Sequence, residues 1–551
     1  MKELVLTVDG KRITAAPGTK LAGIIGNGNE KDYRSDPVVA AKVNGTLMSL
    51  SEVIRGNAVI EPVHLLSPFG KRVYRKSLCF LLSYASALIA PERCLIIGHS
   101  LGDGYYFRYR DGGRPDTARL REVMEDAVRD DLPIDLAELT QDEAIAYAAS
   151  HGLDETVSLL STSNSSSYIF AKLGSCLEMY YEPLLPSAGY LGLWELREHE
   201  DGLLLRYPQS RNPMSIMEFT DNPLLFSVFR ENKRYAEILG IGSMGELNRK
   251  VQDSSISRTV LLSEALQRRR ISDISRMIRT RGTVKAVFVA GPSSSGKTTF
   301  SLRLSDELRV DGYRPVKISL DDYYLPTDKV PLDEYGERDY EVLEALDLDL
   351  FRKQLASLIA GDEVHLASFS FRTRTTEFRE EGTRMDERSI LIIEGIHGLN
   401  PALIPGIPHS DVFRVYISAL TQVNLDTRSR ISTTDNRILR RMVRDNRTRG
   451  FDAVETLSRW PSVERGEKNH IFPFQNNADV MINSSLEYEL GVLKPYAEPL
   501  LMSVPKSAGD AYTTARRLLE FLSYVFPIPS ELVPGDSLLR EFIGGSVYHA
   551  T

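Results

Sequence analysis

The stretch VFVAGPSSSGKTTF at residues 287–300 restricts the fold of this chain more than any other. An apolar run with strand character leads into a loop with the spacing G-x-x-x-x-G-K-T, and the residues that follow, KTTFSLRLSDELR, are compatible with a helix. In such a loop backbone N–H groups surround phosphates, the lysine meets their outer charge and the threonine hydroxyl reaches Mg²⁺. The stretch therefore predicts an ATP-binding loop made of Gly291, Ser293, Ser294, Ser295, Gly296, Lys297, Thr298 and Thr299.

The region from residue 284 onward contains five apolar runs separated by helical stretches: VKAVFVA, RPVKISL, SILIIEG, VFRVYIS and ADVMINS. This alternation of apolar runs and helical stretches predicts an α/β fold, in which a parallel sheet is covered by helices on both faces. Ligands of such sheets bind outside the carboxyl ends of the strands. Two of these ends carry acids: Asp321, which can take a proton from a hydroxyl acceptor, and Glu394, which can hold Mg²⁺ together with Thr298. The alternative is that both acids cap helices.

Residues 428–449, RSRISTTDNRILRRMVRDNRTR, combine eight arginines with Asp435 and Asp445. So many guanidinium groups could form a solvated face, an RNA-binding patch or a lid that closes over a phosphate in transfer. Phosphoryl transfer needs positive charge over the equatorial oxygens of the phosphate. We therefore favour the lid.

The motifs GPSSSGKTT, SLDDYY, IIEGI and RRMVRDNRTRG follow one another along the chain, and about residues 284–490 resemble the uridine kinase and phosphoribulokinase family of P-loop kinases. The resemblance implies ATP and Mg²⁺ as cofactors, a small-molecule hydroxyl acceptor and a homo-oligomer. It implies catalytic roles for Lys297, Arg444, Arg449 and for Asp321 as the base. It further implies that Tyr324, Arg441 and an acid at Asp339 or Glu341 bind the acceptor.

The segment ASFSFRTRTTEF departs from the family pattern. Where uridine kinases have an aromatic residue and a histidine that recognise the pyrimidine, this chain has Phe369, Phe371 and Arg374 as candidate substrate-binding residues. Because an arginine cannot accept a hydrogen bond, the resemblance does not fix the base. We predict a kinase that phosphorylates the 5′-hydroxyl of a nucleoside, with uridine or cytidine first. The alternatives are a kinase of a purine nucleoside or a sugar phosphate, and an RNA-associated ATPase sensor.

The N-terminal half has a different texture. Residues 1–65 alternate like short strands, with Asp9-Gly10 and Asn44-Gly45 as turn signals, and resemble the TGS β-grasp domain. Residues 66–250 are predicted to be α+β and resemble the second additional domain of threonyl-tRNA synthetase, notably in GDGYYFRY and LREVMEDAVRDDLPIDLAEL. The histidines and cysteine with which that domain edits are replaced here by Lys76, Phe80, Tyr180 and Leu184. Without imidazole or thiolate these positions cannot bind zinc, and we interpret this half as a structural or regulatory graft.

Length and composition complete the domain prediction. At 551 residues, and with about 150 residues per domain, the chain is expected to hold further units: a helical linker at 251–283, the kinase-like domain at 284–500 and a helical C-terminal extension at 501–551. A net charge of −8 argues against a protein that coats nucleic acid, which leaves only a local RNA contact through the N-terminal domains. Three widely spaced cysteines, no leader pattern and no apolar run of membrane-spanning length favour the cytoplasm and no membrane contact.

Three weaker patterns have structural explanations that we prefer. GHSLG at 98–102 matches the nucleophile elbow of serine hydrolases, but the residues after it are turn-rich rather than helical. GIGSMG at 240–245 matches a dinucleotide-binding loop, but it follows a segment of helical periodicity and is expected to end a helix. The Ser- and Thr-rich residues Leu153 to Ser167 predict a surface loop.

Overall fold

The computed structural model describes residues 3–26, 31–209, 212–334, 336–370 and 375–548. The first part is a five-stranded mixed sheet with strand order β2-β1-β5-β3-β4. Both residues of Asp9-Gly10 and of Asn44-Gly45 have positive φ, the backbone that type I′ hairpin turns require, so the two predicted turns are confirmed. The elements are β1 (Leu4–Val8), β2 (Lys11–Ala15), α1 (Leu21–Ile25), β3 (Val38–Val43), β4 (Thr46–Ser49) and β5 (Ala58–His64).

The second part contains two antiparallel sheets and several helices, and its long first helix, α2, packs against the next helix, α3. One sheet has the order β11-β12-β7-β6 and the other β10-β9-β8. The elements are α2 (Pro68–Ile89), β6 (Leu95–Leu101), β7 (Gly104–Tyr109), α3 (Thr117–Arg129), β8 (Ile134–Thr140), α4 (Gln141–Ser150), α5 (Asp154–Thr162), β9 (Ser167–Leu173), β10 (Cys176–Met179), β11 (Glu195–His199), β12 (Gly202–Arg206), α6 (Pro223–Leu239) and α7 (Met244–Gln252).

The expected surface loop at Leu153 to Ser167 is wrong, because most of it is the helix α5. Its apolar side chains Leu159 and Leu160 are buried, and α7 packs closely on its backbone. Gly245 of α7 permits this approach, since a Cβ there would lie 2.3 Å from the Leu159 nitrogen. The Ser- and Thr-rich composition led to the wrong prediction because these small side chains also fit between closely packed helices.

The other two weak patterns, GHSLG and GIGSMG, have structural roles as expected. GHSLG lies in the hairpin of β6 and β7, without the helix that a nucleophile elbow requires. Gly240 ends α6 with a φ of 62°, and Ser243 caps the first turn of α7. Neither stretch forms a catalytic or nucleotide-binding loop.

The third part is built on a parallel five-stranded sheet with the order β14-β17-β13-β18-β19. A small two-stranded hairpin stands beside it. The elements are α8 (Ile256–Arg281), β13 (Ala286–Ala290), α9 (Lys297–Val310), β14 (Arg314–Ser319), α10 (Leu348–Ala360), β15 (Ala367–Ser370), β16 (Thr375–Phe378), β17 (Ser389–Glu394), β18 (Val412–Ser418), α11 (Thr433–Arg449), α12 (Ala453–His470), β19 (Val480–Asn483) and α13 (Glu489–Met502).

Alternate residues of the central strand pack on opposite sides of this sheet. Val287 and Val289 join the apolar cluster of α8 and α9, whereas Ala286 and Phe288 join that of α10. Both faces are covered, as expected for parallel strands that read as continuous apolar runs. The predicted α/β class with helices on both faces is confirmed.

Two helices follow, α14 (Asp510–Ser523) and the short α15 (Arg540–Ile543). They share one apolar cluster with α5, α7, the start of α8 and α11–α13. The N-terminal half, the arginine-rich helix α11 and the C-terminal segment are therefore packed into one core. Among the helices of the described ranges, none combines the length and the apolar character that crossing a bilayer requires.

Candidate active site

The predicted phosphate loop lies between β13 and α9. Gly291 fits only without a side chain, because a Cβ would lie 1.9 Å from the Ile417 carbonyl oxygen of β18. The Lys297 ammonium donates hydrogen bonds to the Gly291 and Pro292 carbonyl oxygens at 3.0 and 3.3 Å. Within the described ranges, the buried Ser294 and Ser295 hydroxyls have no hydrogen-bond partner, and such groups fit a site made for phosphate oxygens.

Two acids from neighbouring strands meet this loop. The Thr298 hydroxyl donates to Glu394 Oε1 at 3.1 Å, and both oxygens are of the ligand type that Mg²⁺ takes from proteins beside substrate phosphates. Burial, followed by the charges of Asp321 and Glu541, raises the pKa of Glu394 to about 7, against the opposing charge of Lys297. Asp321 is accessible to solvent, but the protein atoms packed around it desolvate its carboxylate and raise its pKa, while Lys297, Arg449 and Arg444 act to lower it. Asp321 is thus within range of the charges of Lys297, Arg444 and Arg449, as expected for a base that deprotonates the acceptor hydroxyl.

Two of the expected acceptor residues, Tyr324 and Phe369, lie near each other, and Tyr324 lies within range of the charge of Asp321. The Tyr324 ring centroid lies 5.8 Å from that of Tyr340 and 6.2 Å from that of Phe369, with the rings edge to face. Asp339 accepts a hydrogen bond from the Glu341 N–H at 2.9 Å. Burial and the neighbouring Glu467 raise the pKa of Glu341 to about 7, while Arg441 and Lys297 oppose the shift. Glu341 therefore lies within range of the loop lysine and of Arg441.

Two further predicted acceptor residues, Phe371 and Arg374, lie outside the described residues.

Only part of the arginine-rich segment reaches the phosphate loop, and we call its helix α11 the lid helix after the role predicted for it. Three arginines of α11 bind the loop: Arg437 Nε donates to the Ser293 carbonyl at 2.9 Å, Arg440 to the Ser294 carbonyl at 3.3 Å, and Arg441 to the Ser293 hydroxyl at 3.0 Å. The others are divided among three places. Arg444 and Arg449 pair with Asp445, Arg428 and Arg430 contact the N-terminal half, and Arg447 binds the C-terminal segment.

Two carboxylates that contact the phosphate loop were not predicted from the sequence. Glu467 of α12 forms a buried pair with Arg437 and accepts from the Ser293 N–H at 3.2 Å. Glu541 of α15 accepts from both the N–H and the hydroxyl of Thr299, at 3.2 and 3.0 Å. Both acids come from helices far along the chain, and neither belongs to a recognisable motif.

A cluster of four charged residues joins α11 to the rest of the molecule. Arg72 of α2 and Arg517 of α14 both donate to Asp435 in the first turn of α11, at 2.9 and 2.8 Å. Glu182 binds Arg72 as well, with Nε–Oε distances of 2.9 and 3.0 Å. Although burial acts to raise it, the two arginines hold the pKa of Asp435 well below its usual value. The lid helix is therefore fixed by charges from both ends of the chain.

The segment before α11, residues 424–429, inserts into the N-terminal half, and we call it the plug segment. Within it Asp426, Thr427 and Ser429 are buried. The Tyr181 hydroxyl donates to Asp426 at 2.8 Å, and Lys76 binds Ser429 at 2.8 Å and Glu178 at 2.7 Å. Lys76, which replaces a histidine of the synthetase domain that this half resembles, is thus a largely buried structural cation.

Phe80 and Leu184 are buried, and Tyr180 donates to Glu52 at 2.7 Å. Over the described residues no group of three or more His, Cys, Asp or Glu side chains could hold a metal ion.

Comparison with known proteins separates the two halves. The sequence model of the Phosphoribulokinase / Uridine kinase family matches residues 286–489. Over these residues the chain is similar in sequence to that family. Within the family, the uridine kinase of Vibrio cholerae serotype O1 is 28% identical over 222 residues, which are 39% of this chain and 96% of that enzyme. The solved structure of a possible uridine kinase from Bacillus stearothermophilus aligns with 39% of this chain and 98% of its own, at 18% identity and a TM-score of 0.26.

The N-terminal region is similar to threonine–tRNA ligases. The ligase of Carboxydothermus hydrogenoformans is 30% identical over 162 residues, which are 29% of this chain. The chain spans only 26% of the length of that ligase.

Proposed function

We propose that this protein is an ATP- and Mg²⁺-dependent kinase that phosphorylates the 5′-hydroxyl of a nucleoside. The observation that carries the proposal is the place of Asp321 just beyond the end of β14, where Ser319 pairs with Glu394, and within range of the charges of Lys297, Arg444 and Arg449. The phosphate loop that precedes it lies in the part of the chain that matches the uridine kinase family. A carboxylate at that place can take the proton of an attacking hydroxyl while the cations stabilise the phosphate in transfer.

The residues around the loop divide the remaining work. Lys297 and the loop amides would hold the donor phosphates, and Thr298 and Glu394 would hold Mg²⁺, which would supply positive charge to offset that of the phosphates. Arg441 reaches the loop from the lid helix. Tyr324, Tyr340 and Phe369 supply an aromatic wall that suits a flat base, and Glu341 can accept hydrogen bonds from ribose hydroxyls.

The test is acceptor-dependent ADP release from ATP and Mg²⁺ across uridine, cytidine, purine nucleosides and sugar phosphates, with Lys297→Ala as the blank. We expect a pyrimidine nucleoside to stimulate release. The ³¹P signal of the product should be split by the protons of the 5′-methylene group. If only a sugar phosphate stimulated ADP release, the acceptor would be a sugar phosphate and not a nucleoside. ATP hydrolysis that no acceptor stimulates would refute the proposal that the protein is a kinase.

The base is tested by Asp321→Asn, which should lower turnover by about 10²-fold or more while ATP binding is retained. Asp322→Asn is the matched control, because that carboxylate binds the Phe369 N–H at 3.2 Å and lies near Arg379. We expect the control to lose less than about tenfold. If Asp322→Asn caused the larger loss, Asp321 would not be the base.

A further inference from the structure

The C-terminal segment places a carboxylate on the phosphate loop. Glu541 accepts from the Thr299 N–H and hydroxyl. The next amide, of Phe300, already donates to the Gly296 carbonyl at 3.0 Å within the helix. Thr299 is therefore the last residue at the start of α9 whose N–H group has no partner within the helix and can bind a ligand.

This contact is held from several sides. Arg447 of the lid helix donates to the carbonyl oxygens of Phe542 and Glu541, at 3.2 and 3.0 Å. Phe542 is fully buried, and the Arg440 guanidinium lies 4.9 Å from its ring centroid. Leu538 packs in the apolar cluster of α9. The carboxylate is thus presented by a packed segment that is tied to the lid.

The position of Thr299 indicates which phosphate is concerned. Thr298 points to Glu394, on the side where the terminal phosphate meets the acceptor. Its neighbour Thr299 is rotated by about 100° around the helix axis. A nucleoside triphosphate keeps its terminal phosphates at Lys297 and must direct its α-phosphate and nucleoside away from the acceptor, while the loop amides bind the α- and β-phosphates. The Thr299 N–H therefore suits the α-phosphate.

We propose that Glu541 is a specificity-determining residue of the donor site, whose carboxylate competes with the α-phosphate for Thr299. Two anionic groups cannot share this N–H without strong repulsion, so a nucleotide must displace Glu541 to bind. Pyrophosphate, which has no nucleoside and can lie at Lys297 alone, leaves the contact in place. The inference rests on the proposed function, since it takes the loop to be the donor site.

Calorimetric titration of the full chain tests this, with the magnesium complexes of β,γ-imido-ATP and of pyrophosphate as the two probes. The variants are Glu541→Ala and Glu541→Gln, and the second keeps the shape of the side chain should the first fail to fold. Glu531→Gln is the matched control, an exposed carboxylate on the same C-terminal segment.

We expect Glu541→Ala to lower the Kd for the nucleotide analogue by about tenfold or more, the scale of a charge-assisted hydrogen bond. Glu541→Gln should do so to a smaller extent, and Glu531→Gln should leave the Kd unchanged. The Kd for pyrophosphate should change by less than about twofold in every variant.

An unchanged or raised Kd for the analogue in both Glu541 variants would overturn the inference. So would analogue binding to none of the proteins, or an equal gain for pyrophosphate, since the effect would then not concern the α-phosphate. These titrations contain no acceptor. A protein that shows the expected binding pattern but phosphorylates nothing would refute the proposed function and leave this inference standing.

Discussion

Asp435→Asn should loosen the lid helix although the change is remote from the loop. The substitution keeps the size of the side chain and removes one of two acids that face Arg72 and Arg517. Asp435 and Arg517 are largely buried, with side-chain exposures of 7% and 12%. Removing one partner of a buried ion pair costs about 3–5 kcal/mol.

The structure points to the lower end of that range. Glu182 remains bound to Arg72 and lies 3.6 Å from Arg517 Nη1, so neither arginine loses every acid. Arg72 is also 31% exposed and can be hydrated in part. We therefore expect a loss of about 3 kcal/mol, which corresponds to a factor of about 150 in an opening equilibrium.

Native-state hydrogen exchange of peptides from α11 measures this opening locally. Exchange over Thr433–Arg449 should become about 150-fold faster in Asp435→Asn. Arg72→Gln, a change in the N-terminal half, should accelerate the same peptides. The control is Glu122→Gln, which breaks an exposed pair with Arg119 and should cost less than about 1 kcal/mol. Unaltered exchange in α11 in both variants would show that the charged cluster does not hold the lid.

Three further outcomes can be measured. Because the pKa of Glu341 is raised to about 7, its carboxylate forms as the pH rises through that value, so kcat/KM for the acceptor should rise there. Glu341→Gln should make this rise less steep, because Glu394, whose pKa is also raised to about 7, still titrates. Glu394→Gln should raise the Mg²⁺ concentration for half-maximal rate by about tenfold or more in a metal titration. Gly245→Ala, whose methyl group meets the Leu159 backbone, should lower the free energy of unfolding in urea by about 1–3 kcal/mol. Gly56→Ala meets nothing within 4 Å and should leave it unchanged.

Local patterns in the sequence predicted much of the fold. Continuous apolar runs indicated a parallel sheet because both of its faces are covered, and Asp-Gly and Asn-Gly pairs indicated turns whose backbone favours positive φ. The phosphate loop could be predicted because its glycines, lysine and threonine act within eight consecutive residues. The prediction of a surface loop at residues 153–167 was wrong because composition does not show which polar side chains are buried.

The site could be predicted only where its chemistry is local. Arg441 was expected to bind the acceptor, and none of Arg437, Arg440 and Arg441 was assigned to the loop that they contact, since one arginine-rich helix offers many equivalent cations and packing selects among them. Glu541 bonds to Thr299 across 242 residues, and an isolated glutamate in a short helix carries no signal of such a contact. The roles of the expected site residues remain predictions for the experiments above.

The plug segment makes the union of the two halves difficult to reverse. A cut at residue 283 would leave Lys76 beside Glu178 without Ser429 and Asp426, and would remove Asp435 from Arg72. The other piece would expose the apolar and polar surface that the N-terminal half now covers. Each half has come to depend on side chains supplied by the other, so a lineage that carries this fusion cannot discard either half without first replacing its buried counter-charges.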